Sequence, residues 1–343
     1  MKQLAFILVF LFISLKAMPQ DDNAKVKEFI TKGIKLHDEK KYAEAVLSYK
    51  EALKIEPENP NANYEIAFTL MSTGANKDAI PYLERVTKTK NGTTASAYDM
   101  LGSIYDDLDE KEKAIANFKM GIEANPGNQG IYYNIAITYG RMGKDKEALS
   151  YLIQSLKMKP SHSSSHRLYA LLTMNNSLTK VDAVLAFCNF LILEPNSERS
   201  ISAFKDLQVL LGSGVAKTEK GSNISIGSGG DSERNAANLA VSMSSLSAGL
   251  IPGLSEIEKL QQQLKMIFST IGELSAKTAS KEFLWSFYGD YVDKIAKSEF
   301  MPVVAHIIGF TANQKENQQW INENQVQFVN FKKWQEANAR KEL

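Results

Sequence analysis

The sequence predicts an all-α protein: about five stacked helix pairs, a capping helix, then a separate C-terminal helical domain. Two registers and one change of composition carry this expectation. Ala45, Ala79, Ala114, Ala148 and Ala183 recur at spacings of 34, 35, 34 and 35 residues. Twelve residues after each stand Pro57, Asn91, Pro126, Pro160 and Pro195, so four of the five cycles end on proline. At 212–232 the chain turns Gly- and Ser-rich, with almost no large apolar side chains, before helical periodicity resumes. Self-similarity at a fixed period of this size is the mark of stacked repeats.

Each position in the cycle has a physical reason. Gly33, Ala67, Gly102, Ala136 and Ala170 precede the alanines by twelve or thirteen residues, and Leu36, Leu70, Tyr105, Tyr139 and Thr173 follow three later. Tyr49, Leu83, Phe118, Leu152 and Phe187 stand four residues after the alanines. Small residues let two helices approach, and large groups at helical spacing fill the space between them. Gly74 and Gly143 mark the turn within a pair. Proline ends the second helix because it lacks an N–H and clashes with the preceding turn. One pair cannot bury its own apolar face, so neighbours must stack.

The stretches AEAVLSYKEALKIEPENP, YDMLGSIYDDLDEKEKAIANFKMGIEANPGN and YYNIAITYGRMGKDKEALSYLIQSLKMKP resemble tetratricopeptide (TPR) repeats, in the manner of exported bacterial TPR proteins. The resemblance covers 25–197, as repeats 26–59, 60–94, 95–128, 129–162 and 163–197, and implies a right-handed superhelix. Repeat two lacks the proline and repeat five is looser. In this family the first helix of each pair lines a concave face. That mapping places Ile30, Ile34, Tyr64, Phe68, Met71, Asp99, Asp106, Tyr133, Ile137, Arg167, Leu171 and Met174 in a groove for a peptide or partner helix. Tyr64, Phe68 and Tyr133 are the aromatic anchors, and Asp99 and Asp106 make an acidic middle. The alternative is that the chain's own C-terminal region covers part of this face. Ile30 and Ile34 stand where chaperone adaptors of this family carry a carboxylate-clamping Lys and Asn, so no such clamp is expected.

The opening MKQLAFILVFLFISLKA has a basic residue, an apolar run over 4–15 and a small residue at Ala17. It reads as a signal peptide over 1–17. A run of that length covers about 18 Å, against ~30 Å for a bilayer core. Export to the periplasm or cell envelope, or secretion, is therefore expected, with no transmembrane span after signal removal. Net charge is +1, which gives no field for nucleic acid. Cys188, the single cysteine, lies between Phe187 and Phe190 and is expected to be buried.

Residues 198–211 read as the capping helix, with Ile201, Phe204, Leu207, Leu210 and Leu211 on one face. Residues 212–232 read as a flexible linker. In the domain at 233–343, Leu239, Met243, Leu246 and Leu250 precede Pro252-Gly253, and Leu254, Ile257, Leu260, Leu264, Ile267, Ile271 and Leu274 follow. This reads as a helical hairpin, with a homo-oligomeric coiled coil through 235–277 as the alternative. Trp285, Trp320 and Trp334, with their aromatic neighbours, read as core.

Catalytic chemistry is not expected. The linker lacks the glycines of a phosphate loop: Ala216 and Leu211 stand where they would be. His162 and His166 have a metal-compatible spacing but no local carboxylate or thiol, and read as solvated. No cofactor and no metal are expected. The functional expectation is a non-catalytic interaction scaffold in the bacterial cell envelope. The alternative is a periplasmic, chaperone-like binder of exported chains.

Overall fold

The computed structural model describes residues 20–218, 221–224 and 231–340, so the signal-peptide reading of 1–17 lies outside the described residues. The chain divides into two compact units, Met1–Asn125 and Pro126–Leu343.

The N-terminal unit is three helix pairs: α1 (Gln20–Asp38) with α2 (Tyr42–Ile55), α3 (Pro60–Ser72) with α4 (Asn76–Thr87), and α5 (Thr94–Asp107) with α6 (Lys111–Ala124). α2 and α6 each stop two residues before their proline. Repeat two, which lacks it, ends α4 at Thr87, four residues before Asn91, and Lys90 takes a left-handed φ of 48°. α3 starts with Pro60 in its first turn, and the Asn59 side chain accepts from the Ala62 N–H at 2.9 Å.

Within each pair, the small residue and the large one sixteen places on are matched in size. Gly33 faces Tyr49 and Gly102 faces Phe118, and a Cβ at either glycine would meet the ring at 2.3 or 2.5 Å. Where the large residue is Leu83, the small one is Ala67, and both belong to one buried cluster with Leu101 and Ile104. In these two pairs the planar ring takes the volume a methyl group would occupy, and the facing residue is glycine.

The turn inside a pair also repeats. Lys40, Gly74, Asp109 and Gly143 all have left-handed φ, between 61° and 79°. Glycine adopts this region freely, whereas Lys40 and Asp109 adopt it at a cost of roughly 1 kcal/mol each.

The C-terminal unit begins with the pairs α7 (Gln129–Arg141) with α8 (Asp145–Met158), and α9 (Ser163–Thr173) with α10 (Lys180–Leu193). Then come α11 (Glu198–Gly212), α12 (Ser232–Gly249), α13 (Glu256–Lys277), a π-helical turn at Leu284–Gly289, α14 (Asp290–Lys297), α15 (Met301–Ile308), α16 (Gln314–Glu323) and α17 (Gln325–Ala337).

Three sequence expectations change here. The C-terminal helices do not form a domain separate from the repeats, because the chain divides at Asn125/Pro126 rather than at 212–232. α10 is the reason. Its residues from Lys180 to Ile192 are all buried, and α9, α11, α12 and α15 pack around it. A helix apolar on every side must be buried on every side. One core runs from Ala136 and Leu152 through α10 and α13 to Tyr288, Val303 and Phe331.

Second, part of the expected linker is ordered: β1 (Val215–Thr218) and β2 (Gly221–Ile224) pair antiparallel, Val215 opposite Ile224. Third, the α12–α13 hairpin forms as the Pro-Gly turn predicts, with Gly253 at φ +82° and a capping box at Ser255 and Glu258. However, α12 turns its small residues inward. Ala237, Ala240, Val241 and Ser244 are buried, while Leu239, Met243 and Leu246 are half-buried and Leu250 is exposed. The small face lets α12 reach the start of α10. There Asn238 accepts from the Val181 N–H at 3.0 Å, and Lys180 Nζ donates to Ser242 Oγ at 2.7 Å. On α13, Leu260, Leu264, Ile267, Phe268 and Ile271 are buried inside the unit, so the stripe that a coiled coil with a second copy would use is already covered.

Candidate functional site

In the N-terminal unit α1, α3 and α5 are the first helices of their pairs, and side chains link their exposed faces. Phe68 on α3 stacks on His37 of α1, ring centroids 5.0 Å apart, and His37 Nδ1 lies 2.9 Å from Thr69 Oγ1. Tyr64 on α3 reaches α5 through a hydrogen bond with Ser96, and burial raises its hydroxyl pKa. Of the large apolar residues that sequence placed in the groove, only Ile34 and Phe68 are exposed, at 40% and 44%, and both lie in this unit. Met71 is half-buried beside them, against the cluster of Ala67 and Leu101.

Two predicted groove residues go elsewhere. Ile30 packs into the small core of Val26, Ala52 and Ala62. Asp106 is buried, and its carboxylate lies 3.1 Å from Lys111 Nζ, so it fastens the α5–α6 turn instead of lining a groove. The acidic middle thus retains Asp99, which is half-buried. Sequence reasoning missed Glu65, beside Tyr64 on α3. Its carboxyl pKa is raised by burial and by the charge of Asp38 on α1. It is the sole ionisable side chain of α3 besides Tyr64, and that isolation was readable in PNANYEIAFTLMS.

In the C-terminal unit the predicted residues lie on α7 and α9. Tyr133 meets His162 edge-on, centroids 4.9 Å apart. Tyr133, Leu171 and Met174 are partly buried against the core, and Ile137 and Arg167 are half-buried. This face is less open than that of α3.

The paired histidines are not both solvated, contrary to expectation. His166 is fully buried, with Nδ1 2.9 Å from the Tyr288 hydroxyl and Nε2 2.9 Å from the Pro160 carbonyl. Burial pulls its pKa down to about 3, so the ring is neutral and structural. The register of α9 explains this: His166 shares the inward face with Tyr169, Ala170 and Thr173. Nearby, the Asp182 carboxylate on α10 accepts from the Tyr169 hydroxyl at 3.0 Å and pairs with Arg234 of α12, which also pairs with Glu282. Burial pushes the Asp182 carboxyl upward, and the Arg234 guanidinium opposes it.

Cys188 is buried, and burial pushes its thiol pKa up, the reverse of what a nucleophile needs. A cleft of about 1140 Å³ in the C-terminal unit is bordered by Gln208, Ser245, Lys259, Gln263, Asn313 and Glu316. Its lining holds neither histidine nor cysteine, and Lys259 is paired with Glu256 at 2.7 Å. Among the described residues, no three His, Cys, Asp or Glu side chains gather to hold a metal ion, and no helix is long and apolar enough to cross a membrane.

Comparison with known proteins agrees with the repeat reading. Family models described as tetratricopeptide repeat match residues 36–104, and 95–128 with 130–162. A curated relative, DnaJ homolog subfamily C member 3 of Bos taurus, is 24% identical over 183 residues, which are 53% of this chain and 33% of that one. The chain thus spans a third of that relative. Among solved structures, MamA is 28% identical over 48% of this chain and 94% of its own, with a TM-score of 0.44. PilF of Pseudomonas aeruginosa is 16% identical over 55% and 86%, with a TM-score of 0.49. YrrB, described as a TPR protein with an unusual peptide-binding site, is 16% identical over 55% and 100%, with a TM-score of 0.44.

Proposed function

The chain is a tetratricopeptide repeat protein, and from that premise we propose that it is a non-catalytic scaffold of the bacterial cell envelope, holding a segment of a partner protein on the inner face of its repeats. The observation that carries this reading is Phe68. A large aromatic ring 44% exposed on a first helix, stacked on His37 and flanked by Tyr64 and Met71, leaves apolar surface for a partner to cover. Repeats four and five lie within the C-terminal unit, where α10 is buried on every side. Export rests on the apolar run at 4–15. A second reading, a chaperone-like binder of many unfolded chains, draws on the likeness to the DnaJ homolog.

The test is an affinity capture of the full chain from crosslinked envelope fractions, beside a Tyr64→Ala/Phe68→Ala variant and a Tyr133→Ala/Leu171→Ala variant. A scaffold retains one partner in fixed ratio and loses it when the N-terminal pair is changed. A chaperone-like binder retains many clients weakly. Retention of the same partners by all three proteins would contradict the inner-face reading.

A further inference from the structure

The open face of the N-terminal unit has a charge as well as an apolar character. Of the three first helices, α3 and α5 carry Glu65, Asp99, Asp106 and Asp107 and not a single Lys or Arg, whereas α1 carries Lys25, Lys27, Lys32 and Lys35 against Asp21, Asp22, Glu28 and Asp38, and the second helices α4 and α6 carry both signs. Asp106 is committed to Lys111, and Asp107 accepts from the Asn76 side chain at 3.5 Å. Glu65 is different. It lies half-buried between Tyr64 and the exposed Phe68, and among the described residues its carboxylate has neither hydrogen bond nor ion pair. Its one charged influence is a like charge, Asp38 at the end of α1. An unpaired carboxylate in a partly dry, aromatic setting, with a second anion next to it, is an unsatisfied arrangement. An incoming cation would relieve it.

We propose that this face selects a cationic segment of a partner protein, one in which Lys or Arg stands next to apolar or aromatic side chains. The apolar groups would cover Phe68 and Met71, and the cation would lie against Glu65 and Asp38. An acidic segment would meet the same two carboxylates without a counter-charge and be repelled. The inference rests on the reading of the inner face as a protein-binding surface and adds the sign of the partner's charge.

The test is a random-sequence 12-residue peptide array probed with the labelled full chain, with Phe68→Ala and a Glu65→Gln/Asp38→Asn variant alongside. The expected result is a bound set enriched in Lys or Arg beside apolar residues, lost in Phe68→Ala. In the carboxylate variant its preference for cations should fall roughly threefold to tenfold, and raising the salt from low to high should weaken it in the unaltered chain. A bound set that depends on Phe68 but is neutral or acidic would overturn the charge inference and leave the binding face standing. Absence of bound peptides, or binding indifferent to Phe68, would overturn both.

Discussion

In the N-terminal unit, α3 buries one stripe of small and aliphatic residues and leaves Phe68 44% exposed; in the C-terminal unit, α10 is buried on every side from Lys180 to Ile192. Both helices belong to pairs of the repeat array, α3 as the first helix of the second pair and α10 as the second helix of the fifth. The first unit has several small clusters, such as Val26 with Ala52 and Ala62, and Ala67 with Leu83 and Leu101. The second has one core that extends from Ala136 to Phe331. The difference is set by what surrounds the pair. Where only neighbouring repeats pack, one face of each first helix remains for a partner. Where α12, α13 and α15 close in, burial consumes the helices and interior polar groups must find partners within the chain. The continuous apolar core is therefore in the second unit, and the exposed aromatic ring on a first helix is in the first.

The sharpest way to break this comparison is in the second unit. Arg234→Ala leaves Asp182, almost wholly buried, without its counter-charge, with the Tyr169 hydroxyl as its remaining side-chain partner. The expected loss is about 3–5 kcal/mol in urea unfolding. A loss below ~1 kcal/mol would show that this core does not depend on its buried pair. The next effect is a pH dependence. His166 is held neutral by burial, its pKa down at about 3 against an ordinary value of 6.5. Below the ordinary value the unfolded chain binds a proton that the folded chain refuses, so stability is lost as pH falls from 6.5 towards 3. Between pH 7 and 5 this amounts to about 2 kcal/mol. His166→Gln should flatten the stability curve by that amount over that interval.

Two smaller effects sharpen the account of the first unit. Gly102→Ala puts a Cβ into the Phe118 ring and should cost about 1–3 kcal/mol by chemical denaturation. Adding Phe118→Leu should recover part of it, since Ala67 and Leu83 already use that pairing. Asp109→Gly should act in the opposite direction, raising stability by roughly 0.5–1 kcal/mol, because the φ of 62° there suits glycine. Its exposed side chain has only a loose ion pair with Lys111 to lose.

How much of this could be read from the chain follows from where each signal resides. The helix pairs were legible because Ala45, Ala79 and Ala114 and the prolines repeat a local requirement at a fixed period. The size matching of Gly33 with Tyr49, and Gly102 with Phe118, was present in the same residues but needed the packing geometry to connect them. The fate of α10 was less visible: KVDAVLAFCNFLIL is apolar all round, yet nothing local states which distant helices will cover it. His166 and Asp106 were misplaced for a related reason. Spacing along a helix identifies a face, but burial depends on partners far along the chain, such as Tyr288, or on a turn residue such as Lys111. Of the site, the aromatic face at Tyr64 and Phe68 was legible from the repeat register, and the unpaired state of Glu65 was not.

The most direct test of the central claim is a calorimetric titration of the partner captured by the full chain, run on Phe68→Ala with a urea unfolding curve of the same preparation. Because Phe68 is substantially exposed, its truncation should change stability by less than ~1 kcal/mol while weakening the partner by about thirtyfold. Unchanged affinity in a variant that folds normally would contradict the claim that the inner face of the N-terminal unit holds the partner.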